Sequence, residues 1–302
     1  MLSFLPGPLK GTLIIILILL NTLIWTPILV IGAILKMIFP LPFLQKWITI
    51  LLIGCANNWT MLNNFFFWLF LKIEWHVTGV EGLSRNEWYL VNCNHQAWSD
   101  IPIVQRILNR KVPMPKFFLK KELIWVPVLG ICWWALDFPF MKRSTPDQIK
   151  KNPALAGKDL ETTRIACEKF KTTPVSVFNF MEGTRFSKTK HEKQASPFRN
   201  LLKPKAGGAA FVLGSMGKQM HTMLDITIVY ADKDKEAWDL FCGRVHKVIV
   251  DVRKVDCPME FVGKDYSSDP VFKESFQAWL NTLWIEKDKL IDELKVRHSI
   301  KN

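Results

Sequence analysis

Two long apolar stretches follow one another in the first quarter of the chain and predict helices that associate with a membrane. Residues 11–35 contain no charged side chain over 25 positions. As a helix this stretch would be roughly 37 Å long, which exceeds the roughly 30 Å apolar core of a bilayer. Pro27 should kink it or divide it into two arms. The stretch is too long for the apolar region of a signal peptide, and no small-residue cleavage site follows it.

The second stretch, residues 47–71, is also uncharged but carries a polar stripe. Asn57 and Asn64 are seven positions apart, so they share a helix face with Trp68. Such a stripe is typical of a helix that lies in the membrane interface or packs on protein. We therefore predict membrane-associated helices over residues 1–72. Whether they span the bilayer as a hairpin or lie in its interface as a re-entrant pair stays open.

The rest of the chain, residues 73–302, alternates between strand-like and helix-like patterns. Short runs of Val, Ile and aromatic residues, bounded by Gly, Pro or Asn, predict strands over 73–77, 88–93, 138–141, 175–180, 225–230 and 245–252. Apolar residues three and four positions apart predict helices over 101–108, 159–171 and 271–295. This alternation indicates one α/β domain in which a sheet is flanked by helices. The Lys-rich segment 187–200 is predicted to be a mobile surface loop.

The charge balance favours anionic partners. Lys and Arg total 40 against 27 Asp and Glu, which gives a net charge of +13. Beside a membrane segment, a basic surface favours acidic lipids and phosphorylated substrates or coenzymes. Zinc-finger spacing, a basic zipper and RNA-binding aromatic signatures are absent from the sequence, so no nucleic-acid partner is expected.

The six cysteines are widely spaced and form no CxxC pair. Together with the lack of His-rich ligand spacing, this argues against a metal site. Scattered cysteines in apolar runs are typical of reduced, buried thiols rather than of a secreted disulfide framework. We therefore expect the globular part to face the cytoplasm.

One polar turn is the strongest candidate for chemistry. A predicted strand ends at Cys93, His95 and Asp100 follow, and a helix begins near Ile101. Across a turn the carboxylate can reach the imidazole, fix its tautomer and leave the other ring nitrogen to accept a proton as a general base. The alternative is that Asp100 is an ordinary helix cap.

The same five-residue offset occurs a second time, at His246 and Asp251. That pair lies in a predicted strand, where an odd offset places the two side chains on opposite faces. We therefore expect only the first pair to form. A GxSxG serine elbow is absent, since residues 213–217 (LGSMG) match it only in part. This favours direct attack by a substrate hydroxyl over an acyl-enzyme intermediate.

Four blocks in order resemble the glycerolipid acyltransferase family, whose best-known members are the 1-acylglycerol-3-phosphate (lysophosphatidate) acyltransferases. The blocks are Asn94-His95 with Asp100, then 117–130 (FFLKKELIWVPVLG), 138–143 (FPFMKR) and 182–185 (EGTR). The match spans about residues 73–230, and the run after the EGTR block looks like the branch of longer-chain eukaryotic and some bacterial inner-membrane members.

The resemblance implies roles for individual residues. His95 would be the general base and Asp100 would orient it. The residues implied in binding the substrate phosphate are Glu182, Gly183, Thr184, Arg185, Arg143 and Lys205. Asn94 and Pro127 would support these motifs.

The resemblance also implies a reaction and a location. An acyl group would pass from acyl-CoA or acyl-carrier protein, as co-substrate, to the free hydroxyl of a lysophospholipid, first of all 1-acylglycerol 3-phosphate, giving phosphatidate. Neither a cofactor nor a metal would be needed. The fold would be glycerolphosphate acyltransferase-like, and the site would face the cytoplasm at a bacterial inner membrane.

Three departures from the family pattern leave the acceptor open. Lys142 stands where the family often has an acid, the strand 225–230 lacks the family's proline, and Lys205 does not adjoin a glycine. The alternatives are another acceptor, either glycerol 3-phosphate or a lysophospholipid with a head group. Outside the family, they are a lipid hydrolase and a non-catalytic membrane adaptor.

Overall fold

Two long helices begin the chain and pack against each other. The computed structural model describes residues 2–141, 173–264 and 269–300, together with parts of 164–171. Helix α1 (Gly7–Ile38) continues through Pro27 as one helix, and α2 (Pro42–Phe70) follows after a short turn. Among the described residues, α1 is the one helix long and apolar enough to cross a membrane, judged by length and composition.

The polar groups of α1 and α2 bind protein rather than face outward. Asn21 of α1 donates to the side chain of Asn63 at 2.8 Å, and Trp59 donates to the hydroxyl of Thr22 at 3.0 Å. The side-chain oxygen of Asn58 accepts from the guanidinium of Arg110 at 2.5 Å. Helix α2 therefore packs on protein through polar residues adjacent to the predicted stripe, whereas Trp68 of the stripe is 54% exposed.

A mixed sheet forms the centre of the globular part. Its strands are β1 (Glu74–Thr78), β2 (Tyr89–Cys93), β3 (Pro115–Phe117), β6 (Ser176–Asn179), β7 (Thr222–Tyr230) and β8 (Lys247–Asp256). Among the described residues their order is β1-β8-β7-β2-β6-β3, and β4 (Leu119–Lys120) pairs with β5 (Phe140–Met141) in a small parallel ladder. Strands β7, β2, β6 and β3 run parallel to one another, whereas β8 is antiparallel to β7. The carboxyl ends of β2, β6 and β7 therefore meet at one edge of the sheet.

Helices cover both faces of the sheet, which confirms the predicted α/β class. The remaining α-helices are α3 (Asp100–Leu108), α4 (Leu129–Ala135), α5 (Lys188–Lys193), α6 (Ala206–Met216), α7 (Ala237–Cys242) and α8 (Pro270–Arg297). Apolar residues of α6 and α8 form one core with the sheet, and those of α3 with the ends of α1 and α2 form the core on the other face. A third apolar cluster joins α1, α2 and α4.

Most of the predicted elements are confirmed with small shifts at their ends. Each of the six predicted strands overlaps an observed one, and the predicted helices 101–108 and 271–295 correspond to α3 and α8. The predicted helix 159–171 lies largely outside the described residues. The six cysteines are buried and unpaired, as predicted.

The prediction of a mobile loop over 187–200 was wrong. The segment contains α5, whose start is capped when the Ser187 side chain accepts from the backbone of Lys190. Its end is fixed because the backbone and side-chain amides of Asn200 both donate to Asp288 of α8, at 2.8 and 3.1 Å. A lysine-rich composition reports exposure, and it does not report contacts made with a distant helix.

Candidate active site

The turn after β2 is held by the neighbouring strand. Asn94, which is fully buried, accepts from the backbone N–H of Ile228 at 2.8 Å and donates to its carbonyl at 2.9 Å. This double contact ties the end of β2 to β7. The next residue, His95, is therefore presented from a fixed backbone position at the carboxyl edge of the sheet.

His95 and Asp100 meet across this turn. His95 Nδ1 lies 2.9 Å from Oδ2 of Asp100, and that carboxylate is fully buried. The same oxygen accepts from the backbone N–H groups of Gln96 at 2.7 Å and Ala97 at 2.9 Å. A carboxylate held this way accepts the Nδ1 proton and leaves Nε2 as the ring nitrogen that can take a proton. The ring of His95 stacks on Phe180 with centroids 3.9 Å apart.

The second oxygen of Asp100 has its own partner. The hydroxyl of Tyr230, at the end of β7, donates to Oδ1 at 2.6 Å and lies 3.0 Å from the hydroxyl of Ser99. Burial, followed by the nearby charge of Asp100, raises the pKa of Tyr230 well above its ordinary value. The phenol therefore stays protonated and acts as a hydrogen-bond donor.

Glu182 supports the turn from the other side. It is fully buried, and its two oxygens accept from the backbone N–H groups of His95 at 2.7 Å and Leu202 at 2.9 Å. Burial raises the pKa of Glu182 to about 7, against the opposing effect of these two hydrogen bonds. Because both oxygens are occupied by backbone, Glu182 holds the histidine's main chain and is not free to bind a phosphate. This corrects the phosphate-binding role that the resemblance to the family motif implied for Glu182.

The EGTR turn brings several cations together. Gly183 has φ +71°, and a Cβ built there would lie 3.0 Å from Cδ and 3.1 Å from Nζ of Lys205. Thr184 accepts from the ammonium of Lys190 at 2.8 Å, so its hydroxyl is engaged within the protein. Arg185 follows directly. The turn thus has three basic side chains around it, of which Lys190 was missed by the sequence reasoning.

Arg185 itself is held between two partners. Its Nη1 lies 3.1 Å from Oε2 and 3.2 Å from Oε1 of Glu236, and its guanidinium lies over the ring of Trp98 at 4.8 Å. The other predicted arginine, Arg143, lies outside the described residues.

A cavity of about 1690 Å³ connects these groups to the N-terminal helices. His95, Arg185 and Lys205 contribute to its wall, together with apolar residues of α1, α2, α4 and α6. Pro127, in the turn before α4, also lines it. The volume exceeds the roughly 300–1,000 Å³ of common small-molecule sites. The cavity therefore suits a long apolar ligand with a charged end.

The second His–Asp offset does not form a pair, as predicted. His246 Nδ1 lies 2.9 Å from Oδ1 of Asp232, and Asp251 accepts from the hydroxyl of Thr78 at 2.8 Å. The His246 side chain is 70% exposed, whereas that of His95 is 12% exposed. The His246–Asp232 contact thus has the same length as the His95–Asp100 contact, but its histidine is exposed rather than buried.

Several residues of the site were invisible to sequence reasoning. These residues come from segments far from His95 in the chain: Phe180, Lys190, Tyr230 and Glu236. The available signal was that Phe180 and Tyr230 end predicted strands. If those strands had been assumed to be parallel neighbours of β2, both residues would have been placed beside the histidine.

The chain resembles known acyltransferases over much of its length. A family model described as Acyltransferase matches residues 74–230. A 2-acyl-1-lysophosphatidylinositol acyltransferase from Saccharomyces cerevisiae is 25% identical over 236 residues, covering 66% of this chain and 59% of the relative. The human 1-acyl-sn-glycerol-3-phosphate acyltransferase delta is 24% identical over 189 residues, covering 59% of this chain and 45% of the relative. The chain thus spans about half the length of the curated relatives it matches.

One solved structure is also similar, with a TM-score of 0.48 and 18% identity. It is the 1-acyl-sn-glycerophosphate (LPA) acyltransferase PlsC from Thermotoga maritima, and the alignment covers 91% of this chain and 98% of that one.

Proposed function

The chain belongs to the acyltransferase family, and from that membership we propose that it moves a fatty acyl group onto the free hydroxyl of a lysophospholipid. The first acceptor to consider is 1-acylglycerol 3-phosphate, which would give phosphatidate. The observation that carries the proposal is the position of the His95–Asp100 pair, on a cavity with cations near the histidine and apolar helices beyond.

His95 is the proposed general base. The described residues hydrogen-bond the imidazole ring through Nδ1, which leaves Nε2 to accept the proton of the acceptor's hydroxyl. The hydroxyl oxygen then attacks the thioester carbonyl and forms the new C–O bond. As the tetrahedral intermediate collapses, the C–S bond breaks and the departing thiolate takes the proton from the imidazolium. Asp100 orients the ring and stabilises its charged form throughout.

Arg185 and Lys205 are proposed to bind the acceptor's phosphate. Guanidinium groups bind phosphate through paired hydrogen bonds, and an ammonium adds a compact charge. Both side chains line the same cavity as His95. Arg143 is proposed as a further cation on sequence grounds alone, because it lies outside the described residues. Gly183, with φ +71°, permits the turn that precedes Arg185, and the Lys205 side chain lies against that turn.

The proposed donor is acyl-CoA or acyl-carrier protein. Both are anionic, which suits a chain with a net charge of +13. The acyl chain would lie in the apolar part of the cavity, between α1, α2 and α4. The chemistry described uses side chains only and calls for no cofactor or metal.

The N-terminal helices are proposed to lie in the membrane interface. The start of α1 packs on α7, where a Cβ at Gly11 would lie 2.9 Å from Cys242 Sγ, and its end is tied to the globular part by a 2.5 Å ion pair between Lys36 and Asp137. A helix fixed to the same body at both ends favours the interfacial arrangement over a span. Its outward face carries exposed apolar residues that would contact lipid, such as Leu19, Leu23 and Ile31. An inner membrane with a cytoplasmic site is the location we propose.

Labelling tests this arrangement. Cysteine would be introduced by Ser3→Cys, before the start of α1, and by Phe39→Cys, just after its end, in sealed membrane vesicles. An interfacial α1 predicts that an impermeant maleimide labels both from the same side. Opposite-side labelling would show that α1 spans the bilayer. The six native cysteines are buried and give little background.

Activity is tested by mixing purified protein with lysophosphatidate and labelled oleoyl-CoA or oleoyl-carrier protein. Phosphatidate should form, and His95→Ala should reduce kcat by at least about a thousandfold. His246→Ala is the matched control, since it removes an imidazole that pairs with Asp232 at the same 2.9 Å. Release of free fatty acid would indicate a hydrolase, and full activity in His95→Ala would exclude the mechanism.

A lysophospholipid with a head group is the second candidate acceptor. The observation that favours it is the carboxylate of Glu236 beside Arg185, which adds negative charge where a phosphate is proposed to bind. The Saccharomyces cerevisiae relative is named for a lysophosphatidylinositol acceptor. An acceptor panel in the same assay distinguishes the two.

A further inference from the structure

Glu236 occupies one edge of the arginine proposed to bind the acceptor's phosphate. Both of its carboxylate oxygens lie within 3.2 Å of Arg185 Nη1. The hydrogen bonds that the described residues make to this guanidinium involve Nη1, so Nε and Nη2 stay available for a ligand. A phosphate bound there would therefore have a carboxylate as its neighbour.

The carboxylate is held in place by the turn that it borders. The backbone N–H of Trp98 donates to Oε2 of Glu236 at 3.3 Å, and the Trp98 ring lies under the Arg185 guanidinium. Trp98 lies between His95 and Asp100 in the chain, so this contact links the acid to the turn that carries the catalytic pair.

The segment that supplies Glu236 is fixed along its length. At its start, Tyr230 donates to Asp100 at 2.6 Å. At its end, the ammonium of Lys235 donates to the side-chain oxygen of Gln96 at 3.0 Å, and Ser99 donates to the Lys235 carbonyl. Since each contact is made with the turn after β2, Glu236 has a defined position relative to the reacting groups.

We propose that Glu236 determines which lysophospholipid the site prefers. A phosphomonoester with two charges is repelled by the carboxylate more than a phosphodiester with one. A phosphodiester also carries a head group, and a hydroxyl or amine on it can donate a hydrogen bond to Glu236 while the phosphate binds the open edge of Arg185. Glu236 thereby shifts preference from lysophosphatidate towards lysophospholipids with hydrogen-bond-donating head groups. This inference rests on the proposed acyl transfer.

The test compares acceptors in one protein and its variants. The full chain in mixed micelles would be assayed at about pH 8, above the second phosphate pKa near 6, with lysophosphatidate and lysophosphatidylinositol. Glu236→Gln keeps an oxygen that can accept from Trp98 but removes the charge. Glu260→Gln is the matched control, because it removes one exposed carboxylate that follows the end of β8 in the chain. The end of β8 pairs with the start of β7, whereas the site lies at the end of β7.

Glu236→Gln should raise the ratio of kcat/KM for lysophosphatidate over lysophosphatidylinositol by about threefold to fivefold, as expected for a half-exposed charge. The change should appear in KM, because Glu236 touches no reacting atom. Raising salt from about 0.05 to about 0.5 M should reduce the difference in this ratio between Glu236→Gln and the wild type, because salt screens the repulsion that distinguishes the two proteins. Glu236→Ser removes the same charge and keeps an oxygen that can cap the start of α7, so it replaces Glu236→Gln if that variant folds poorly.

Two results would count against the inference, and they are distinguishable. Use of both acceptors with a ratio that removal of the Glu236 charge leaves unchanged would overturn the role of Glu236 alone. Use of neither acceptor by the wild type, with either acyl donor, would overturn the proposed function and this inference with it.

Discussion

The phenol of Tyr230 donates a 2.6 Å hydrogen bond to Oδ1 of Asp100, the oxygen opposite the one that faces His95. These two residues are 130 positions apart in the chain. They meet because β7 and β2 are parallel neighbours and both end at the same edge of the sheet. Through this contact the end of β7 helps to orient the carboxylate of Asp100.

Removing the phenol should therefore slow the reaction without unfolding the protein. Tyr230→Phe takes away one hydrogen bond to a charged, buried carboxylate, so we expect kcat to fall about tenfold with KM little changed. Tyr89→Phe is the control, because its hydroxyl donates to Glu87 at 2.8 Å at the other end of β2. Steady-state kinetics of both variants checks this, and an equal fall in kcat would show that the effect is one of stability.

Glu182 should make stability depend on pH. Burial raises the pKa of this carboxyl from 4.5 to about 7, so the folded protein binds more protons than the unfolded chain between those values. As pH rises through that window the folded state loses stability, by at most about 3 kcal/mol from this group. Glu182→Gln cannot ionise and should lose less stability than the wild type between pH 5 and pH 8.

Thermal unfolding in detergent at several pH values measures this difference. Glu260→Gln, which removes an exposed carboxylate, should follow the wild-type curve. Parallel curves for the wild type and Glu182→Gln would show that the Glu182 carboxyl has an ordinary pKa in the folded state.

The turn at Gly183 offers a test of the proposed phosphate site. Gly183→Ala introduces a Cβ that lies 3.0 Å from the Lys205 side chain, in a backbone conformation with φ +71°. We expect Lys205 to be displaced and KM for lysophosphatidate to rise about fivefold, with a cost in stability of about 1–2 kcal/mol.

Gly82→Ala is matched to it, since Gly82 also has φ +71° but a Cβ there would meet no atom within 4 Å. Unfolding and kinetic measurements should give both variants a similar loss of stability, and Gly183→Ala alone a higher KM. If both variants raise KM equally, backbone strain rather than Lys205 is responsible.

The apolar part of the cavity should set the length of the acyl chain. Ala56 of α2 is buried and lines the cavity, so Ala56→Trp fills space proposed for the chain. We expect kcat/KM for palmitoyl-CoA to fall at least about tenfold, while octanoyl-CoA is used nearly as before. Gly54→Trp, on the same helix but facing open space, should leave both unchanged. Equal losses for the two donors in Ala56→Trp would contradict this location.

Sequence patterns were sufficient for the long helices and for the strands, which depend on neighbours along the chain. An uncharged stretch of 25 residues predicts a long apolar helix. Apolar residues two positions apart predict a strand, and those three or four positions apart predict a helix, because the spacing shows which face of the element is buried. The His95–Asp100 pair was predictable for the same reason, since a five-residue turn brings its own ends together. Short elements such as α6 were missed, because its three glycines disfavour a helix until the sheet packs against it.

The tertiary structure alone decided which distant residues surround that pair. The sequence by itself predicted a base, an acid and a basic turn, but it assigned Glu182 to phosphate and offered no place for Tyr230 or Glu236. Those positions follow from strand order, because side chains at the ends of parallel neighbours become adjacent whatever their separation along the chain. Local periodicity carries no information about strand order. The pairing of β2 with β6 on one side and β7 on the other is a property of the folded sheet.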